Sequence, residues 1–448
     1  MSPNVLWIIA HDSGRESSVY GGSAITPALK AFATTAVVFT NAFAVAPSCS
    51  PSRSAMMTGL YPHQSGSTGL AHLGFELQRT DRHLAARFAA AGYRTVLCGI
   101  QHEVEDHRTL GYSRYIGADP EATFDPDADL LAWDATNAKA CAQFLATPSD
   151  EPWLLSLGLF APHRPFADAE ERELPEPPYG LPPTQDVRTD AANFRASMRW
   201  MDRQVGTVLE ALDRSSAAGN TIVIVSTDHG IDFPRYKATL SDGGLATMLI
   251  VRTPTTQPAV CHDLVSLIDL YPTVHHLVGL AEPADADRSD ARPIAALCPE
   301  VPSATKRQFA FSEINYHVAY EPVRSVRGVR FRYVRRYHSH AQVPSNIGDS
   351  ASKERYLATS PPVAPDAPRA ALYDCYYDRL NAVDVTAAVD DTTLGAHADQ
   401  LDRWMAATDD PLLVGPVPAP PHAAVAPPEA YSSRSADRIG SGGPEEAS

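Results

Sequence analysis

Short apolar runs with abrupt ends, at 5–10, 94–99, 153–160, 221–226 and 247–251, recur through the first two thirds of the chain, with helix-patterned stretches between them. Runs of this length bounded by turn formers fit strands buried on both faces. Buried strands that alternate with helices imply crossover connections, so the chain is predicted to form a mostly parallel sheet covered by helices. The expected helices start at Thr26 and Pro27, a cap and first-turn pair, and continue over 82–91, 132–147, 191–212 and 264–278. After the turn near Glu282 and Pro283 the pattern changes. Strand-like segments at 309–313 and 327–337 and a last helix ending near Trp404 predict a smaller α+β subdomain. The expected division is an α/β domain over 1–300, the subdomain over 301–415, and a Pro-, Ala-, Ser- and Gly-rich tail over 416–448 that is predicted to be disordered.

Composition narrows the function classes. With 448 residues, 44% of them hydrophobic, the chain can bury a large core. A formal net charge of -16 argues against binding nucleic acid or an anionic membrane through bulk electrostatics, so any anionic substrate must meet a local cationic pocket. The six cysteines include no CxxC pair, which suits neither a disulfide framework nor a zinc knuckle. Residues 5–10 read as a core strand, and no apolar stretch approaches the ~20 residues needed to cross a bilayer, so the expected compartment is the cytoplasm.

The chemistry concentrates where strands end. Cys49-Ser50-Pro51-Ser52-Arg53, followed by Thr58-Gly59, places a cysteine at a helix start, where free N–H groups and the helix dipole favour an anion. Arg53 lies four residues on, on the same helical face. His11 and Asp12 close the first apolar run, and Asp228, His229 and Gly230 close the run at 221–226. Carboxylates at the carboxyl ends of parallel strands point into the crevice where open α/β sheets bind ligands, and hard oxygen donors there suit Ca²⁺ or Mg²⁺. Gly99-Ile100-Gln101-His102 and Pro162-His163-Arg164-Pro165 each follow a predicted strand, and Lys237 follows the Asp-His pair.

The segment Cys49 to Gly59 resembles the sulfatase signature C-x-P-S-R-x-x-x-x-T-G, and the other elements follow in that family's order. The resemblance implies an alkaline-phosphatase-like fold, a mixed and mostly parallel sheet flanked by helices. It further implies that a formylglycine-generating enzyme oxidises Cys49 to formylglycine. One hydroxyl of the hydrated aldehyde then attacks sulfur, and the other expels sulfate by re-forming the aldehyde. By the same resemblance Arg53 and Lys237 stabilise charge, His102 assists breakdown of the covalent sulfate, and His163 assists the leaving group. The implied metal site comprises His11, Asp12, Cys49, Asp228 and His229, holding a divalent ion, calcium by expectation, with magnesium and manganese as alternatives. The chain departs from the family pattern at His11, where an aspartate is usual, and at Ile100, where a lysine is usual.

Within the family, Asp12 to Ser17, His63 to Gly66 and Val323 to Val326 resemble the N-sulfoglucosamine sulfohydrolase branch, which implies a sulfated amino sugar as substrate. His63, His72 and His317, with a basic run from Arg324 to Arg336, are candidates for reading that sugar. Two alternatives stay open: a phosphonate monoester or phosphodiester hydrolase of the same superfamily, and a sulfated-glycan binding protein without catalysis.

Overall fold

The computed structural model describes residues 2–120, 128–170, 175–282, 289–302, 306–339, 343–359, 368–435 and 437–438. In chain order the first ten strands are β1 (Asn4–Ala10), β2 (Val37–Phe39), β3 (Ala42–Phe43), β4 (Arg94–Gly99), β5 (Arg114–Ile116), β6 (Trp153–Leu159), β7 (Thr221–Thr227), β8 (Leu249–Arg252), β9 (Ala259–Cys261) and β10 (Val265–Ser266). Eight of them form one sheet in the order β5-β4-β6-β1-β7-β8-β2-β9, while β3 pairs with β10. β4, β6, β1 and β7 run parallel, and β8 is antiparallel to both β7 and β2. The sheet is therefore mixed and mostly parallel, as expected.

β1 shows why the runs are apolar throughout. Val5, Trp7 and Ile9 enter one hydrophobic cluster, and Leu6, Ile8 and Ala10 enter the cluster on the opposite face. Both faces are covered, so neither set of alternate side chains meets water. The long helix Gln185–Asp213 covers the second face with Met198, Met201, Val205 and Val208. This places β1, β6 and β7 side by side at the centre, with their carboxyl ends on one edge.

Four later strands, β11 (Ala310–Tyr316), β12 (Tyr320–Arg327), β13 (Phe331–Arg336) and β14 (Ala370–Asp374), form an antiparallel sheet, with the helix Asp391–Ala407 against it. This is the expected small α+β unit. It docks on the segment just after β3 through Glu313 N, which donates to Val45 O at 2.8 Å, and Ser312 Oγ, which donates to Ala44 O at 3.0 Å.

Two expectations need correction. The predicted helix over 264–278 is interrupted: β10 comes first, and only Leu270–Val278 is α-helical, because Ser266 and Asp269 close a capping box between them. Part of the tail expected to be disordered packs on the body of the molecule. Val417 and Ala423 are buried with Phe75 and Tyr316, and Ala426 N donates to Val318 O. Its few apolar side chains join clusters with Phe75, Tyr316 and Val318, contacts that composition alone does not reveal. Residues 436 and 439–448 lie outside the described residues.

Candidate active site

The ends of β1 and β7 are tied together before any side chain reaches the crevice. Thr227 Oγ1 donates to Ala10 O at 3.1 Å, and Asp12 N donates to Asp228 Oδ1 at 3.0 Å. Asp12 itself adopts a left-handed backbone (φ 44), a conformation costly for a residue with a Cβ and concentrated at functional sites. Beyond the strand ends, Cys49 opens the helix Cys49–Thr58, every residue of which is buried. The helix stops at Gly59 (φ 68), where a Cβ would meet the Tyr271 ring at 2.6 Å.

These elements bring all nine predicted site residues to one place. Cys49 Sγ lies 3.2 Å from His229 Nε2 and 3.9 Å from Asp12 Oδ1. Lys237 Nζ donates to Asp12 Oδ2 at 2.8 Å, and Arg53 Nε donates to Asp228 Oδ2 at 3.0 Å. His11 Nδ1 is 3.1 Å from Asp228 Oδ2, and its Nε2 is buried without a hydrogen-bond partner. His163 Nε2 stands 3.8 Å from Asp12 Oδ2. His102, also left-handed (φ 69), faces the ring of His11 at 5.6 Å. Ile100 leaves no cation where the family pattern has lysine, and Lys237 is the buried ammonium that remains.

Burial and charge together fix the protonation states. Burial alone would raise Asp12, but Lys237, His163 and His229 hold it well below the usual carboxylate range. Burial likewise opposes ionisation of Asp228, and the charges around it, with Arg53 bound at Oδ2, overcome it. Burial, reinforced by Arg53, lowers His11 to about 3, so that imidazole is neutral. Burial pushes the Cys49 thiol well above its ordinary value, so it carries its proton and is a poor nucleophile as it stands.

The donor set fits a divalent cation. His229 Nδ1 donates to Gly230 O at 2.9 Å, which fixes the tautomer and leaves the Nε2 lone pair facing Cys49 and Asp12. Ligand atoms of His11, Asp12, Cys49 and Asp228 lie within 4.8 Å of one another. Two ionised carboxylates, a neutral imidazole with an open Nε2 and the oriented Nε2 of His229 form a ready set of ligands. Arg53 Nη1 and Nη2 are buried without hydrogen-bond partners, which fits an anion docking against them.

Several supporting residues were not singled out from the sequence. Asp134 accepts from Phe160 N and Ala161 N, both at 2.8 Å, and so fixes the turn that carries His163. Glu103, buried, has an unpartnered Oε2, and burial pushes its carboxyl up to about 8 despite the pull of Arg53. A single acidic residue inside the helix Leu130–Ala146, or in the loop after β4, gives no signal for either role. Of the rim candidates, His72 Nδ1 lies 3.1 Å from His102 Nε2, and His317 Nδ1 lies 2.9 Å from Ser48 Oγ. His63 lies elsewhere, paired with Glu313. The basic run does not form a sugar-reading face: Arg324 is fully buried on Asp410, Arg327 and Arg332 bind Asp242, and Arg335 binds Asp402.

A mostly parallel sheet with carboxylates and imidazoles at its carboxyl edge, facing a cysteine at a helix start, defines the alkaline-phosphatase-like class of α/β proteins. Within that class the chain belongs to the sulfatase family, whose model matches residues 3–280, more than half of its length. Human N-sulphoglucosamine sulphohydrolase is 32% identical over 306 residues, 60% of each chain. An ulvan-active sulfatase of Formosa agariphila is 26% identical over 381 residues, 75% of this chain and 61% of its own. The chain thus spans about 60% of the length of these two relatives. A solved 2-O GAG sulfatase superposes with a TM-score of 0.73 at 21% identity, covering 97% of this chain and 99% of that one, a likeness of fold.

Proposed function

We propose that the protein hydrolyses a sulfate ester or sulfamate, on a sulfated amino sugar, through formylglycine formed at Cys49 by a maturation enzyme. The observation that carries this reading is the position of Cys49: at the start of a buried helix, 3.2 Å from His229 Nε2 and beside Arg53 nitrogens that have no partner. A protonated thiol in that place is inert, whereas an aldehyde hydrate there offers one hydroxyl for attack and a second for expulsion of sulfate. The human relative, by its name, acts on N-sulphoglucosamine, which favours an amino sugar.

The chain's own groups divide the work. His11, Asp12, Asp228 and His229, with the modified Cys49, would hold a divalent ion, which lowers the pKa of a bound hydroxyl and offsets negative charge. Arg53 presents Nη1 and Nη2 to the sulfuryl oxygens, and Lys237 adds a second cation anchored on Asp12. His163 donates Nδ1–H to Arg164 O at 2.6 Å, leaving Nε2 to carry the proton for the leaving group. Burial lowers that imidazole, so the proton is readily given up. Burial lowers His102 further, which leaves a neutral base for the hydrate proton during release of sulfate.

Mass spectrometry of the peptide containing Cys49, combined with inorganic sulfate release from an N-sulfated glucosamine, tests the reading. An unmodified cysteine in fully active enzyme would refute it. The Asp228-His229 pair supports phosphodiester cleavage as a second reading, and turnover of bis-nitrophenyl phosphate in preference to nitrophenyl sulfate would favour it.

A further inference from the structure

When His102 takes the proton of the hydrate, one hydrogen bond decides which of its nitrogens can receive it. A ring nitrogen of His102 lies within 4.8 Å of Cys49 Sγ, which marks the place of the hydrate oxygens, and of a ring nitrogen of His11. His102 Nδ1 is buried without a hydrogen-bond partner, whereas Nε2 lies 3.1 Å from His72 Nδ1. The two rings are 12° from parallel and their centroids are 5.4 Å apart. Centroids that far apart, with nitrogens 3.1 Å apart, require both nitrogens to point along the line between the rings, the geometry of an in-plane N–H···N bond.

The turn that carries His72 is built to hold it there. Ala71 N donates to Ser50 Oγ at 2.9 Å, which ties the turn Ala71–Leu73 to the residue after Cys49. Leu70 packs in one cluster with Cys49, Val318 and Ala426. Gly74 closes the turn in the left-handed region (φ 92), and a Cβ there would meet the Ala423 backbone at 3.0 Å.

Chemistry sets the direction of the shared hydrogen. In a neutral imidazole one nitrogen donates and the other accepts. If His102 Nε2 donates to His72 Nδ1, His102 Nδ1 keeps its lone pair and can accept a proton; the reverse direction leaves Nδ1 protonated and unable to act as a base. Partial burial in the crevice wall, then His163 and Lys237, lower His72 to about 4, so its ring is neutral and its Nδ1 can accept.

We propose that His72 is a positioning residue for His102: it accepts the hydrogen of His102 Nε2 and so keeps the Nδ1 lone pair available to the sulfated hydrate. The role rests on the formylglycine reading of Cys49. In the step concerned, the free hydroxyl of the sulfated hydrate loses its proton to His102 Nδ1. The electron pair of that O–H bond forms the C=O bond, and the C–O bond to the sulfate group breaks, so that sulfate leaves as the dianion. The cation formed on His102 then shares its Nε2 hydrogen with His72 in a charge-assisted bond, stronger than the neutral one.

The test compares the whole formylglycine-bearing chain with its His72→Ala and His72→Asn variants on nitrophenyl sulfate; asparagine keeps an acceptor near the place of Nδ1. Slowing the release step alone lowers kcat and leaves kcat/KM, which ends at sulfate transfer, unchanged. The expected result in His72→Ala is that pattern, with kcat down roughly tenfold to a hundredfold, a burst of nitrophenol equal to the enzyme and covalent sulfate on the peptide of Cys49. His72→Asn should recover most of the loss. Histidine-selective ¹⁵N NMR of the wild type should show His102 protonated at Nε2; protonation at Nδ1 overturns the proposal whether or not a variant folds. An unchanged kcat in His72→Ala, or an equal fall of kcat and kcat/KM in both variants, also overturns it. A raised KM for an N-sulfated glucosamine, with nitrophenyl sulfate turnover untouched, would assign His72 to the sugar and end the positioning role. Failure of the formylglycine reading shows separately, as active wild type with unmodified Cys49.

Discussion

At the scale of single residues, the site is organised by who holds which proton. Two carboxylates stay ionised because cations surround them, while His11 and the Cys49 thiol stay neutral because burial gives their charged forms no solvent. Cys49→Ala should therefore abolish turnover, by more than a thousandfold, with little change in thermal melting, since it deletes one sulfur atom beside a helix start. Cys49→Ser should accumulate a covalent sulfate ester visible by intact mass, because a single hydroxyl cannot expel sulfate by forming an aldehyde; steady multiple turnover by either variant would defeat the mechanism. His11 leads to a prediction about the metal. An imidazole in place of a carboxylate lowers the charge and hardness of the ligand set and favours Mn²⁺ relative to Ca²⁺. Metal-stripped enzyme should regain comparable activity with either ion, and His11→Asp should shift calorimetric affinity toward Ca²⁺ by roughly tenfold or more, about 1.4 kcal/mol per decade. Unchanged relative affinities would assign His11 to orientation of Asp228 alone.

At the scale of elements, the strand ends were the most legible part of the chain. The runs at 5–10, 94–99, 153–160 and 221–226 correspond to β1, β4, β6 and β7, and the residues after each of them meet in one crevice. A parallel strand buried on both faces writes itself as a continuous apolar run, and its carboxyl end must carry whatever chemistry the fold supports. The short strands β2, β5 and β9 left no such trace: three residues fixed by neighbours are set by tertiary pairing and not by local pattern. The basic run misled for a related reason. Arg324 looks like a surface cation in the sequence, yet β12 points it inward, where Nε and Nη2 bind Asp410 at 2.6 and 3.0 Å and Nη1 and Nη2 reach Ile314 O and Asn315 Oδ1. Arg324→Ala should cost about 3–5 kcal/mol of stability, because it leaves a buried carboxylate without its partner. Guanidinium unfolding measures that loss, and activity per folded molecule on nitrophenyl sulfate should be preserved; an unchanged unfolding midpoint with altered sugar preference would instead return Arg324 to the substrate.

At the scale of the whole molecule, the two sheets meet through a small number of buried charges. Asp242, which opens the short helix Asp242–Leu245 after β7, receives Arg327 from β12 at 3.0 Å and Arg332 from β13 at 2.8 Å, and Arg332 also donates to Leu240 O at 2.9 Å. Burial opposes the charge on Asp242, but Arg332, Arg327 and Arg15 outweigh it and bring the carboxyl to about 2 from an ordinary 3.8. Because the folded value lies below the unfolded one, the charged pair's contribution is complete above about pH 4 and is lost as the pH falls through about 2. A shift of that size corresponds to on the order of 2 kcal/mol. Asp242→Asn should lower stability at neutral pH and flatten the acid limb of a stability-against-pH curve by a similar amount, since the asparagine has no proton to take up. Urea unfolding midpoints between pH 5 and pH 2 test this directly. If wild type and variant lose stability in parallel over that range, Asp242 does not link the sheets through its charge, and the docking rests on the backbone contacts of Ala44 and Val45 with β11.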